Sequence, residues 1–331
     1  MPTTPLDETL LAQPPLPQFD VQLQPPDLSP WREGNCGLPG FTTRRAAIPG
    51  PHVALVALMH GNEIAGALVL DRLLRAGLMP LRGTLTFGFA NLSAFDRFDP
   101  AQPTASRFLE EDLNRLWDPA LLDGPRRSIE LDRARQMRPL VERVDILLDL
   151  HSMLWASEPL MLCGGTAKGR ALAGAIGQPD LVIADFGHVS GRRLIDYGQF
   201  ANPLAAPTAV LVEAGQHWET ATVAMTLASV AGLLRHLGMV ERHPALPPPP
   251  GQATRPPRFA EVTRVVTAAT AGFSFLRPFR GGEVVRTRET LIAMDGETEI
   301  RTPHDDCLLV MPSLRPGRGH TAVRLARFVN G

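Results

Sequence analysis

Val53-Ala54-Leu55-Val56-Ala57-Leu58-Met59-His60-Gly61-Asn62-Glu63 joins an unbroken apolar run to a His, a Gly, an Asn and a Glu. A strand that is apolar at every position buries both of its faces, as a parallel strand covered by helices does. The segment from Ile64 to Arg75 then carries apolar residues at 64, 67, 68 and 74, with Gly77 as a stop, which is a helix pattern. Residues 83–90, GTLTFGFA, read as the next strand, so strand, helix and strand open an α/β domain. Open α/β sheets bind ligands beyond the carboxyl ends of their strands. His60 and Glu63 fall at such an end. An imidazole and a carboxylate three residues apart can turn toward one point, and zinc accepts that nitrogen and oxygen pair.

Working outward from this stretch, Phe19–Leu23 alternates as a short strand, and Phe41 to Ile48 reads as another. Residues 91–128 show little periodicity and read as one extended loop region, a length that usually carries function. Ile129 to Val144 reads as a helix with apolar residues at 134, 137, 141 and 144, kinked at Pro139. Asp145–His151 is a second buried strand that ends in a His. Strand Leu160–Cys163 and helix Gly169–Ile176 follow, and Ala209–Val212 delivers Glu213 at its end. A helix from Thr220 to Leu237, with Thr220 as its cap and Gly238 as its stop, closes the first domain.

The expected organisation is a catalytic domain over residues 1–242 (1–15 loosely ordered), a stiff Pro-rich linker at 243–258, and a small all-β domain at 259–331. At 331 residues the chain has room for a large core. Its net charge of -1, with scattered Arg, excludes a polyanion partner such as nucleic acid. Cys36, Cys163 and Cys307 are far apart and show no CxxC spacing, so they read as reduced and mostly buried. The N-terminus lacks the basic leader and apolar core of a signal peptide, and no run is long enough to span a bilayer, which places the protein in the cytoplasm. Gly164-Gly165 and Gly281-Gly282 read as lacking the strand-to-helix context of a phosphate loop.

Three strands therefore end in polar residues able to meet at one edge: His60 with Glu63, His151, and Glu213. Two imidazoles and a carboxylate form a catalytic zinc set with an open position, and a further carboxylate beside it can activate water. Asp149, two residues before His151, leaves the strand on the same face and can orient that imidazole or form a structural ion pair. In Arg107-Phe108-Leu109-Glu110-Glu111-Asp112-Leu113-Asn114-Arg115, Asn114 and Arg115 suit an anionic substrate end, and Arg107 a developing oxyanion. His217 reads as a rim or structural residue. His304-Asp305-Asp306 reads as a solvated turn rather than a metal cluster.

HGNE at 60–63, RFLEEDLNR at 107–115, DLHS at 149–152 and VEAGQH at 212–217 resemble, in order and approximate spacing, the motifs of the aspartoacylase/succinylglutamate desuccinylase family. This family lies within the zinc carboxypeptidase-like superfamily, and the resemblance covers roughly residues 45–331. It implies an α/β fold, a mixed sheet flanked by helices, with a smaller C-terminal all-β domain. It implies one zinc per chain held by His60, Glu63 and His151, with Glu213 as general base and acid. It also implies that Arg107 polarises the scissile carbonyl, and that Asn114 and Arg115 hold a substrate carboxylate. The expected activity is removal of an acyl group from a small-molecule N-acyl amino acid, with homo-oligomerisation left open. A zinc carboxypeptidase and a catalytically silent binding module of the same fold are the alternatives. Two departures concern the substrate. Asn202-Pro203-Leu204 stands where the family often has an Arg, so that Arg192 or Arg193 would have to substitute. The family's Tyr from the β domain is also missing, since the single tyrosine is Tyr197.

Overall fold

The computed structural model describes residues 19–187, 190–249 and 255–330. Residues 1–15, His188 and the 250–254 part of the linker lie outside the described residues. The chain forms two compact units, which include Asp20–Val262 and Thr263–Arg327 respectively.

The larger unit is α/β. In chain order it contains β1 (Phe41–Arg45), β2 (His52–Ala57), α1 (Ile64–Arg75), β3 (Thr84–Phe89), α2 (Leu92–Phe95), α3 (Pro119–Asp123), α4 (Ile129–Val141), β4 (Ile146–Met153), β5 (Leu160–Leu162), α5 (Ala167–Ile176), β6 (Leu181–Ala184), β7 (Thr208–Gln216) and α6 (Thr220–His236). The sheet order is β1-β3-β2-β4-β7-β5-β6. β3, β2, β4 and β7 run parallel, while β1 and β5 pair antiparallel with β3 and β7. The sheet is therefore mixed, as expected.

β2 owes its central place to the apolar run, since Val53 to Ala57 are fully buried. Helix α1 buries Ile64, Val69, Leu70, Leu73 and Leu74 against this layer, and each such side chain contributes roughly 1.5–3 kcal/mol of transfer free energy. Gly66 lets the helix press close, because a Cβ there would lie 3.0 Å from Ala57 Cβ.

Several local expectations change. Phe19–Leu23 forms no strand; Leu23 is buried and the Gln22 amide bonds the Trp218 carbonyl. The 91–128 region contains α2, a 3-10 turn at Leu113–Arg115 and α3, each begun by an Asn or Asp side chain accepting a backbone amide. Pro139 lies in the last turn of α4, which ends at Val141. β7 runs three residues beyond Glu213, and α6 starts after Glu219 without a side-chain cap, so Thr220 is a helical residue. Gly164-Gly165 does stand between a strand and a helix, β5 and α5, with Thr166 capping the helix through the Gly169 amide.

The chain leaves this unit along β8 (Arg258–Thr267), whose first residues pair with β6. The smaller unit is antiparallel. It includes β9 (Phe273–Phe275), β10 (Val284–Val285), β11 (Leu291–Asp295), β12 (Thr298–Arg301), β13 (Cys307–Val310) and β14 (Thr321–Val329). β12-β11-β9 form one sheet, and β14, β13 and β10 pair in succession around a core that includes Phe273, Phe275, Ile292, Leu309 and Leu325. Asp305 and Asp306 lie on an exposed turn, but His304 is buried, with Nε2 2.9 Å from Thr263 Oγ1 and Nδ1 2.9 Å from the Asp305 carbonyl. No helix among the described residues is long and apolar enough to cross a membrane.

Candidate metal centre

The order β2-β4-β7 brings three strand ends side by side. His151 pairs in register with Glu213, and Leu150 with Ala57, so the turn after β2 opens at the same edge. That turn is strained: Leu58 sits at φ 58°, while its carbonyl accepts the Asn91 amide. A left-handed non-glycine residue costs of order 1–3 kcal/mol and is held there by its surroundings. Gly61 is required by space. A Cβ would fall 2.4 Å from the Ala94 carbonyl carbon and 2.5 Å from the Ser106 oxygen.

His60, Glu63 and His151 converge as a buried group whose ligand atoms all lie within 4.8 Å of one another. Glu63 Oε1 is 2.6 Å from His60 Nδ1, and Oε2 is 3.0 Å from His151 Nδ1. Oε2 also accepts the Ser152 amide at 2.9 Å. Each imidazole has an aspartate behind it. Asp112 Oδ1 lies 2.9 Å from His60 Nε2, and Asp149 Oδ2 lies 3.0 Å from His151 Nε2, the latter outside hydrogen-bond alignment.

This arrangement tests whether a metal fits. The Arg107 guanidinium is also 2.9 Å from His60 Nε2, but that nitrogen cannot both accept from Arg107 and donate to Asp112. Donation to the carboxylate is the charge-assisted choice, and it leaves Nδ1 with its lone pair facing Glu63. Two lone pairs 2.6 Å apart need a proton or a cation between them. The donor set of two nitrogens and a carboxylate matches zinc, so the residues fit the group.

The electrostatics agree. Burial pushes the Glu63 carboxyl upward, but His60 and His151 outweigh it and hold it well below the usual range. Burial likewise opposes protonation of His151, yet Asp149 and Glu63 raise it well above an ordinary imidazole. For Asp112, burial is outweighed by His60 and Arg107, which keep it well below its usual value. The site strongly attracts positive charge.

The remaining expected residues separate into those that reach this edge and those that do not. Arg107 donates to Glu63 Oε1 at 3.3 Å and to Asp112 Oδ2 at 3.2 Å, and it feels the Glu213 carboxylate. Asn114 is buried; its Oδ1 accepts the Leu194 amide at 2.8 Å, and its Nδ2 lies 3.4 Å from His151 Nε2. Arg115 bonds Ser190 Oγ and the Asn114 carbonyl, with NH2 4.0 Å from Asp112. Arg193 does not stand in for a substrate-binding Arg: it is buried, with its guanidinium bonded to both Asp185 and Asp196. Arg192 is ion-paired with Asp118. Tyr197 donates to Glu142 Oε1 at 2.6 Å and stacks edge-on against Trp117. His217 is fully buried rather than on a rim; its Nδ1 meets Ser152 Oγ at 2.7 Å, and burial pushes its pKa down to about 4.

Known proteins share parts of this sequence and this fold. Residues 49–164 match the family model described as "Succinylglutamate desuccinylase/Aspartoacylase catalytic domain". A succinylglutamate desuccinylase of Burkholderia orbicola is 25% identical over 307 residues, covering 87% of this chain and 85% of that protein. Over residues 49–164 the chain is thus similar to the catalytic domain of the succinylglutamate desuccinylase/aspartoacylase family. A succinylglutamate desuccinylase of Pseudomonas aeruginosa is 32% identical over 117 residues; the match spans 33% of this chain and 33% of that protein. The solved structure of a succinylglutamate desuccinylase from Vibrio parahaemolyticus superimposes with a TM-score of 0.66 at 18% identity, covering 88% of this chain and 87% of that one. That likeness shows the fold, an α/β sheet with a C-terminal antiparallel region.

Asp112 and Glu130 were not singled out from the sequence. Asp112 lies inside the quoted motif two residues before Asn114, and its acidic partner role could be suspected only from the Arg residues on either side.

Proposed function

We propose that the chain is a zinc-dependent amidohydrolase that removes an acyl group from an N-acyl amino acid or a similar small carboxylate-bearing amide. The observation that carries this reading is the buried His60, Glu63 and His151 group with Glu213 in register beside His151. His60 and His151 through Nδ1, and Glu63, would hold one zinc. When bound, zinc supplies a Lewis acid and a water that loses its proton near neutral pH. Glu213 is the base that takes that proton and the acid that returns it to the leaving amine. Arg107 donates toward the carbonyl oxygen as it gains charge. Asn114, through its Nδ2, and Arg115 hold the substrate carboxylate. In this proposal the chemistry belongs to residues 1–242, 243–258 is the linker, 259–331 is the β domain, and the protein works in the cytoplasm.

Assay of the zinc-loaded protein on N-acyl amino acids and on short peptides tests the reading. Turnover of the N-acyl amino acids supports it. Turnover of peptides alone would make the protein a carboxypeptidase, and turnover of neither would favour a silent binding module.

A further inference from the structure

Among the buried carboxylates that the mechanism does not use is Glu130. Glu130 is the second residue of α4 and is fully buried. Its Oε1 accepts the Leu109 amide at 2.7 Å and Asn91 Nδ2 at 3.2 Å, while Oε2 accepts the amides of Glu110 and Glu111 at 3.2 and 3.3 Å. Three consecutive amides converging on one carboxylate form a ring of charge-assisted bonds. The same contact is closed from the other side. The Glu110 carboxylate accepts the Ile129 amide at 2.7 Å, and Ser128 Oγ donates to Glu111 while also capping α4.

The clamped segment, 109–111, lies between the two residues that enclose His60. On one side is Arg107, whose carbonyl accepts the Gly61 amide at 3.0 Å, and on the other is Asp112. The 107–112 stretch forms no strand and is exposed at Phe108 and Glu110, so hydrophobic burial alone would not fix it to the tolerance a catalytic donor needs. A displacement of about 1 Å at such a donor can cost roughly a hundredfold in rate.

We propose that Glu130 is a positioning residue that locks the 107–112 segment and so sets Arg107 and Asp112 against the metal-binding group. This role rests on the reading of Arg107 given above. Glu130→Gln is nearly isosteric and turns part of the acceptor carboxylate into a donor that faces the same amides. In it, kcat for an N-acyl amino acid falls tenfold to a hundredfold. Amide hydrogen exchange at residues 109–111 rises at least tenfold, while exchange in β4 is unchanged. In an Arg107→Ala background the same substitution costs a smaller factor in kcat, that carried through Asp112 alone, because one of the two residues it positions is gone. The exposed Glu110→Gln serves as a milder second variant that leaves the buried carboxylate in place, and it shows a several-fold loss with the same coupling.

A folded Glu130→Gln protein with wild-type kcat, or an equal loss in both Arg107 backgrounds, overturns the proposal. If Glu130→Gln does not fold, Glu110→Gln decides by the same two criteria. If the wild-type chain turns over no N-acyl amino acid, the functional reading fails. Exchange at 109–111 then still decides whether Glu130 holds the segment, and unchanged exchange overturns that too.

Discussion

Replacing Glu213 by Gln removes one charge from the middle of β7 and almost no volume. The side chain is 6% exposed and its backbone is paired with His151 on one side and Leu160 on the other, so the strand has no freedom to rearrange. Glu213 is not one of the grouped ligands, and the variant therefore keeps one zinc per chain. The assigned proton transfers, from water and then to the amine, both disappear. General acid and base catalysis contributes roughly 10²- to 10⁴-fold, about 2.7 to 5.4 kcal/mol of barrier at about 1.36 kcal/mol per tenfold. The expected kcat is thus lower by two to four orders of magnitude, with KM changed little because Asn114 and Arg115 are untouched. Steady-state kinetics, metal analysis and a thermal melt on the same preparation measure the three quantities. Full activity in the folded, zinc-loaded variant would refute the assigned base. Loss of zinc would instead move Glu213 into the ligand set.

Asp112→Asn, which weakens the partner of His60 Nε2, lowers zinc affinity by about tenfold to a hundredfold in a chelator competition; unchanged affinity would mean that Asp112 serves only Arg107. Arg193→Met leaves Asp185 and Asp196 without their buried partner and destabilises the protein by about 3–5 kcal/mol in denaturant unfolding. A loss under 1 kcal/mol would show that the cluster is not held as described. Burial pushes the thiols of Cys163 and Cys307 up to about 12 and about 11, so both stay protonated at pH 8. Alkylation of the native protein at that pH therefore labels exposed Cys36 and spares the other two, which react only on unfolding. Labelling of Cys163 at the rate of Cys36 would contradict its burial.

How much of this was legible in the sequence depends on whether a residue's position follows from local pattern. β2 could be read because its apolar run stops shortly before His60, and α1 because its apolar spacing is helical from Ile64 to Arg75; β4 was legible as a strand, but it runs on to Met153, two residues beyond His151. Glu213 was placed at the correct edge but one step wrong in kind. The run Ala209–Val212 looks like the whole strand, while the register continues through Ala214-Gly215-Gln216 because β4 still offers a partner at Met153. The 91–128 region defeated periodicity for a physical reason. Its folds are short, and side chains of Asn91, Asp112 and Asp118 begin them one at a time, while Glu130 supplies from 20 residues away the bonds a strand partner would give. Arg193 shows the opposite failure. Its type suits substrate binding, but Asp185, eight residues earlier, has already taken the guanidinium.

The charges at the strand edge connect these observations. Glu63, Asp112, Asp149 and Glu213 place four carboxylates in a buried or nearly buried region, where Arg107 and, at 4.0 Å from Asp112, Arg115 lie against them. Neutral imidazoles add nothing to the balance, so these four carboxylates outnumber those two arginines, and isolated buried charges are costly. A dication bound between His60, Glu63 and His151 offsets them, and protons on the imidazoles are its natural competitors, since metal ligation requires the neutral ring. The same excess explains why the arginines are so closely held. A guanidinium drawn to Glu63 and Asp112 can lean toward a substrate oxygen only if its backbone is anchored elsewhere, and the Gly61 amide on the Arg107 carbonyl, with Glu130 on the residues beyond, provides that anchor. In the proposed mechanism, metal affinity and the placing of Arg107 therefore draw on Glu63 and Asp112 together, and changing either one should move both.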